Sequence, residues 1–331
     1  MSGAVAGYRE QLDAALRFLR EGDDYLVVSH VQPDGDAISS TVIIGWLLGK
    51  LGKRYVLANE DEVPGRLRFL PLTGSIVQLP DTDHARRYAR VVSVDCADFR
   101  RIGTVSQSFA DGVQLLNIDH HPTNDQFGAV NVVRTNAAAT AEILYDLIAH
   151  AGLALDMQVA EPLYVGLLTD TGGFRYANTS AHVLRIAAEL IGHGVSGSAI
   201  AERMLEMMTM PQLQLLQRGL SRLQFTAGGR IGWLYIEHSD LAQTGAAGED
   251  LEGLVNYARN VEGVEVGILF KGAADGGIKV SMRSAGKVDV AAIAQRFGGG
   301  GHTRAAGCRL ECSLTEASAR VLAAISEVLP S

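Results

Sequence analysis

The sequence predicts an α/β protein in two parts: an N-terminal domain with a mostly parallel sheet flanked by helices, then a helical linker, then a smaller C-terminal α/β domain. Three observations carry that expectation. Short β-branched runs alternate with helical spacings through the first half, the pattern of a parallel sheet covered on both faces. The texture turns helical after about Ser180 and returns to short strands and glycine-rich turns from about Gly229. At 331 residues the chain also exceeds the size at which a single hydrophobic core stops growing.

The elements follow in order. Leu12, Ala15, Leu16 and Leu19 recur at helical spacing, and YLVVS at Tyr25–Ser29 is a short apolar run rich in β-branched residues. A second helix over Ala37–Leu51 leads to a strand at Arg54–Ala58, which closes a βαβ unit. Further strands are expected at Val91–Asp95, Val113–Asp119 and Ala129–Val133, then a helix from about Thr140. LYVGLLTD at Leu163–Asp170 reads as one more strand. The expected boundaries are residues 1–189 for the first domain, 190–222 for the linker and 223–331 for the second domain. In the last of these, RIGWLYIE, VEVGILFKG and GGIKVSMRS precede FGGGGHTRAAG.

Composition narrows the function. Hydrophobic residues make up 47% and charged residues 20%, which excludes disorder. With 29 basic and 37 acidic residues the net charge is −8, so the chain has no broad basic field for long nucleic acid. An anionic substrate must then be caught locally, and bound divalent cations would supply the positive charge. Cys96, Cys308 and Cys312 are odd in number and form no CxxC pair, so neither a disulfide framework nor a zinc ribbon is indicated. They read as small buried hydrophobes. The N-terminal stretch is too acidic and helical for a signal peptide, and no uncharged apolar run is long enough to span a membrane, so a cytoplasmic protein is expected. Gly45–Lys50 has P-loop-like glycines, but its spacing is short, no Ser or Thr follows Lys50, and it falls inside a helix.

The chemistry gathers where predicted strands end. His30, Asp95, Asp119 with His120, and Asp170 each follow or close such a run, and Asp34 and Asp36 sit in the loop after the first. In open parallel sheets the ligand crevice lies outside the carboxyl ends of the strands, so these residues should converge. Singly each has an ordinary explanation: Asp36 as a helix cap, Asp34-Gly35 as a turn, an interior histidine as hydrogen-bonded core. Together the carboxylates would repel one another unless cations compensated them. Oxygen and imidazole donors without thiolate suit Mn²⁺ first, with Mg²⁺ or Fe²⁺ as alternatives. Two cations roughly 3.5–4 Å apart need a bridging carboxylate, and in-line attack on phosphorus is their usual chemistry.

These residues carry a resemblance. H-x-x-P-D-G-D-A at His30–Ala37, V-D at Val94–Asp95, D-H-H at Asp119–His121 and T-D-T at Thr169–Thr171 resemble the motifs of the DHH phosphoesterases. S-M-R-S at Ser281–Ser284 and G-G-G-G-H-x-x-A-A-G at Gly298–Gly307 resemble the DHHA1 substrate-binding domain. The resemblance implies one cation held by His30, Asp34 and Asp95, and another by Asp36, Asp95, His120 and Asp170, with Asp95 as the bridge. It also implies that Asp119 supports the site from behind and that His121 faces the phosphate.

Arg283 offers a bidentate fork, and Gly299, Gly300 and Gly301 with His302 resemble the family's pocket for a terminal phosphate, the glycines exposing N–H donors. Among Arg100, Arg101, Arg134 and Arg175, one or two should face the cleft, and Arg101 is assigned to substrate; the others read as solvated charges.

The family also includes single-strand exonucleases, pyrophosphatases, polyphosphatases and cyclic dinucleotide phosphodiesterases. The chain has no room for an added OB-fold, its tail resembles DHHA1, and membrane and sensor domains are missing. The resemblance therefore implies a compact member that degrades very short RNA or DNA and removes the 3′-phosphate of adenosine 3′,5′-bisphosphate. A cyclic di-AMP phosphodiesterase is the alternative within the family. A non-catalytic nucleotide-binding module would need a missing ligand residue, and none is missing. A nicotinamide dehydrogenase would need G-x-G-x-x-G after the first strand. Dimerisation is expected by family analogy alone.

Overall fold

The computed structural model describes residues 2–79 and 86–329, and the chain divides into two compact units, Met1–Met207 and Met208–Ser331. The expected linker, residues 190–222, is shared between them. Its first part, with the end of one helix, a short helix and a π turn at Glu202–Glu206, belongs to the first unit, and its last helix belongs to the second.

The first unit begins with helix α1 (Ser2–Glu21), then strand β1 (Tyr25–Val28), helix α2 (Gly35–Lys50) and strand β2 (Tyr55–Asn59). Strands β3 (Ile76–Gln78), β4 (Tyr88–Val94), β5 (Phe109–Asp119) and β6 (Val130–Val133) follow, then helices α3 (Thr140–His150), α4 (Met157–Asp170), α5 (Ala181–Gly192) and α6 (Gly197–Ala201). The six strands form one sheet in the order β3-β2-β1-β4-β5-β6, and every neighbouring pair is parallel. All four residues of β1 are buried because helices and loops cover both faces of the sheet. Tyr25 and Val27 face one core with α2, α3 and α4, while Leu26 and Val28 face the other with Ile102, Val105 and Leu115.

Helix α2 is buried from Gly35 to Leu48, apolar nearly all round, as a helix enclosed by protein must be. It starts where it does because the Asp34 carboxylate accepts from the backbone N–H groups of Asp36 and Ala37.

One expected element differs. Leu163–Asp170 is not a strand but the C-terminal part of helix α4, which Asp156 caps by accepting from the Gln158 N–H. A short continuous apolar run is compatible with a buried strand or a buried helix, and periodicity cannot separate them. Here Val159, Ala160, Leu163, Val165, Leu167 and Leu168 point to several sides of a helix packed against α2 and α3. Gly166 makes that packing possible: a Cβ there would lie 2.6 Å from both the Ala141 Cβ and an Asp36 carboxylate oxygen.

The second unit contains α7 (Met210–Ser221), β7 (Gln224–Thr226), β8 (Ile231–Ile236), α8 (His238–Thr244) and α9 (Leu254–Arg259). It continues with β9 (Val266–Gly272), β10 (Ile278–Ser284), α10 (Val290–Gln295), β11 (Gly300–His302), β12 (Ala305–Leu310) and α11 (Leu314–Val328). Its sheet runs β11-β12-β10-β9-β8-β7, with only β8 and β9 parallel. One face carries Ile268, Phe270, Val280, Met282, Ala306 and Cys308 against α10 and α11. The other is covered over β8 and β9 by Leu215, Leu254, Val255 and Ala258 of α7 and α9.

Cys96 and Cys308 are buried, and burial pushes their thiols up to about 12 and about 11. Among the described residues, no helix is long and apolar enough to cross a membrane.

Candidate metal centre

Three parallel strands deliver the first residues of the site. His30 lies two residues past β1, Asp95 directly past β4, and His120 directly past β5, so their proximity follows from strand order. Asp95 adopts φ +56°, a left-handed conformation rare for a residue with a side chain and costing about 1–2 kcal/mol. Its N–H still donates to the Ile118 carbonyl, so the chain turns sharply while paired.

Asp95 stands between two groups. Its Oδ2 lies 3.6 Å from His30 Nε2, and its Oδ1 lies 3.5 Å from His120 Nε2. On the first side His30 Nε2 is also 3.9 Å from Asp34 Oδ1; on the second His120 Nε2 is 3.2 Å from Asp170 Oδ2. One donor atom from each of His30, Asp34 and Asp95 falls within a 4.8 Å sphere of contacts, and so does one from each of Asp36, His120 and Asp170. In both histidines Nδ1 is directed at a backbone carbonyl, Val31 at 2.8 Å and Ala137 at 3.3 Å. Nδ1–H donation there leaves Nε2 with its lone pair turned into the site, the arrangement a ligating imidazole needs.

Asp170 reaches this cluster from the end of a helix rather than a strand. Asp36 is fully buried, and its oxygens accept from the Thr140 N–H at 2.6 Å and the Ala141 N–H at 3.0 Å, the first turn of α3. Thr140 also donates its hydroxyl to Asp95 Oδ1 at 3.0 Å. Nothing in the sequence patterns marked Thr140 beyond its place at a helix start.

Asp119 has no exposed surface and stands behind His121, accepting from its Nδ1 at 2.7 Å and from Asn124 Nδ2 at 2.7 Å. Glu142, another buried carboxylate the sequence reading did not single out, accepts from the Ala138 N–H and pairs with Arg134 at 3.0 Å. It thereby braces the loop whose Ala137 carbonyl faces His120.

Burial and crowding act together on these groups. Burial pushes the Asp36 carboxyl well up, with the charges of Asp95 and Asp170 adding to it. Burial also raises Asp170, to about 6, and Asp34 and Asp95 reinforce it against His120. Burial is the largest single effect on His30 and His120 and opposes their charge, yet hydrogen bonds to Asp95 and Asp170 together with the charges of the surrounding carboxylates outweigh it and raise both. Asp95 is driven low despite burial because His30, His120 and His121 surround it. Protein groups alone leave this pocket short of positive charge, and its donors are oxygens and imidazoles. That set fits divalent cations.

The sequence matches the DHH family, N-terminal domain, over residues 24–167 and the DHHA1 domain over residues 233–330. The chain belongs to the DHH family. The bifunctional oligoribonuclease and PAP phosphatase of Thermus thermophilus is 38% identical over 316 residues, spanning 93% of this chain and 91% of that one. The protein of the same description from Bacillus subtilis is 28% identical over 293 residues, spanning 87% and 90%. Among solved structures, an exopolyphosphatase-related protein from Bacteroides fragilis shares the fold, with a TM-score of 0.86, 24% identity and 96% of each chain covered. This chain is accordingly a DHH phosphoesterase, a hydrolase of a class dependent on divalent metal.

The other arginines of this DHH protein divide as follows. Arg101 lies in the 3₁₀ segment Phe99–Ser108, its carbonyl accepts from the Val31 N–H, and its charge bears on His30. Arg134 is committed to Glu142 and Asp146, whereas Arg100 and Arg175 are exposed.

In the DHHA1 unit Arg283 on β10 and His302 on β11 are both paired with Ala305 on the strand between them, which puts the two on one face of the sheet across a small residue. Strand spacing sets their backbones roughly 10 Å apart. The glycine run corrects one expectation. It is not a loop of free donors: Gly299 gives its N–H to the Ala294 carbonyl, and Gly300 and Gly301 form an edge strand with Gly307 and Ala306. Glycine is required because a Cβ at position 299 would collide with the Gly307 carbonyl oxygen, and Gly301 has φ +139°.

Proposed function

We propose that this DHH protein hydrolyses phosphodiester bonds in RNA and DNA of two to about five nucleotides, releasing mononucleotides, and removes the 3′-phosphate of adenosine 3′,5′-bisphosphate. The observation that carries the reading is Asp95, whose two oxygens face separate histidine–carboxylate groups. The relatives named as oligoribonuclease and PAP phosphatase, aligned over nearly the full chain, support the substrate class.

His30, Asp34 and Asp95 would hold one divalent cation and Asp36, Asp95, His120 and Asp170 the other, with Mn²⁺ as the proposed ion and Mg²⁺ or Fe²⁺ as competitors. Two such cations, when bound, neutralise charge on the phosphoryl oxygens and lower the pKa of an attacking water. Thr140 and the first turn of α3 hold the Asp95 and Asp36 carboxylates in orientation. Asp119 accepts from Nδ1 and so fixes the orientation of the His121 ring, which would face the phosphoryl group. Arg283 and His302 bind the terminal phosphate, and Gly300 and Gly301 let it approach the sheet edge. Arg101, beside His30, is the proposed arginine for the phosphate in reaction.

The net charge of −8 argues for short substrates, since an acidic chain offers no broad basic field to hold a long strand. Initial rates with Mn²⁺ at fixed salt, measured on 5′-phosphorylated RNA from dinucleotide to about 24 nucleotides together with the bisphosphate and cyclic di-AMP, test the reading. The rate should fall with length; a steady rise would reject short-substrate specificity, and full activity in chelated protein would reject the metal centre.

A further inference from the structure

The face of the second sheet that carries Arg283 holds three more cations. On β9 and β10, Lys271 stands directly opposite Lys279, and Lys279 stands opposite Arg309 on β12. Lys279, Ser281 and Arg283 alternate along β10, so all three share this face. Arg309 is neutralised by Asp275 and Glu311. The side chains of Lys271 and Lys279 make no hydrogen bond and no ion pair among the described residues.

Like charges opposite each other on neighbouring strands are destabilising. Lys271 is also half-buried, and burial first, then the charges of Lys279 and Arg283, push its ammonium down to about 8. Glu252 is the acid that bears on it, and its effect is weaker than that of either cation. Two half-buried ammonium groups held side by side with no carboxylate between them lack an anion.

We propose that Lys271 and Lys279 form a second phosphate subsite on the DHHA1 sheet, which takes a further phosphate of a substrate that Arg283 also binds. The inference rests on the short-oligonucleotide reading and deepens it. Lys279 and Arg283 are four residues apart on one extended strand, roughly 13 Å of backbone, and the long side chains shorten that span. A 5′-phosphorylated dinucleotide engages Arg283 with its terminal phosphate. A trinucleotide carries one phosphate more, and the lysine pair takes it. The preference among substrates longer than two nucleotides is thus set on β9 and β10.

The test uses the full chain with Mn²⁺ and compares kcat/KM for the 5′-phosphorylated trinucleotide with that for the dinucleotide. Lys279→Met and Lys271→Met should each lower the ratio about tenfold or more, the loss expected for one charge-assisted contact, while Lys271→Arg keeps it. Equal loss on both substrates, with a lowered Tm, would mean a structural role and overturn the proposal; an unchanged ratio would overturn it as well.

A second readout needs no turnover. In chelated protein at pH 8, acylation of Lys271 by an amine-reactive reagent, followed by mass spectrometry, should be slowed more by the trinucleotide than by the dinucleotide. Equal protection by inorganic phosphate would make the pair a site for the free ion and reject the substrate role. Absence of any oligonucleotide hydrolysis by the unaltered protein would sink the proposed function, while the protection pattern would still decide whether the lysines bind a phosphate.

Discussion

Replacing Asp95 by asparagine tests the bridge with little change of shape. Asparagine tolerates the left-handed backbone at φ +56° better than most residues, so the fold should survive. The structure also predicts which way the amide settles. Thr140 donates to Oδ1 at 3.0 Å, so the amide oxygen stays on that side, facing His120, and the NH₂ replaces Oδ2 opposite His30. A cation beside His30 and Asp34 then loses an anionic ligand and meets a donor. The cation beside His120 keeps an oxygen but loses the charge.

Two weakened charge-assisted contacts of about 1.5–3 kcal/mol each give about 3–6 kcal/mol, or roughly a hundredfold to ten-thousandfold in metal binding and turnover. Circular dichroism checks the fold, Mn²⁺ per chain is counted after buffer exchange, and kcat is measured on a phosphorylated dinucleotide. The expected result is a drop from two equivalents to one, with kcat lowered by at least a hundredfold. Two equivalents retained, with kcat within threefold of the unaltered protein, would refute the reasoning.

Thr140→Val keeps the volume of the side chain and removes the hydroxyl on Asp95, so calorimetric titration should show Mn²⁺ affinity lowered about tenfold to a hundredfold. The pH dependence follows from Asp170, whose folded-state carboxyl is raised to about 6: in metal-free protein its contribution is complete below the unfolded value of 3.8 and is lost as pH rises through 6. Cation binding has the opposite sign, because a proton competes, so apparent Mn²⁺ affinity should fall about tenfold per pH unit below 6, and a flat profile from pH 5 to 8 would remove Asp170 from the ligands. His302→Ala should lower kcat/KM on a 5′-phosphorylated dinucleotide about tenfold to a hundredfold while the bound Mn²⁺ count stays the same. Gly166→Ala, which sets a methyl against Asp36 and Ala141, should lower Tm by several degrees in calorimetry.

The sequence by itself determined the strand-borne half of the site. A residue one or two places past a β-branched run in an open parallel sheet can only lie at the carboxyl edge, so His30, Asp95, Asp119 and His120 were legible from local pattern and fold class alone. Asp34 and Asp36 were legible as a helix start because capping is a local event, although the cap is Asp34 and not Asp36, which lies in the first turn of α2.

Asp170 was placed at the site for a wrong local reason. Leu163–Asp170 is apolar because it is enclosed, and enclosure does not tell a strand from a helix. The helix–helix approach at Gly166 brought it in, and only packing decides that. Thr140 escaped notice because its partner, Asp95, is chosen by how α3 docks rather than by spacing along the chain. The glycines before His302 were visible, yet their purpose was not: the end of α10 takes the Gly299 N–H, and the close approach of Gly307 on β12 leaves no room for a Cβ there. The lysine pair on β9 and β10 was invisible, since Lys271 and Lys279 are neighbours only through the antiparallel register, and register is a property of the folded sheet.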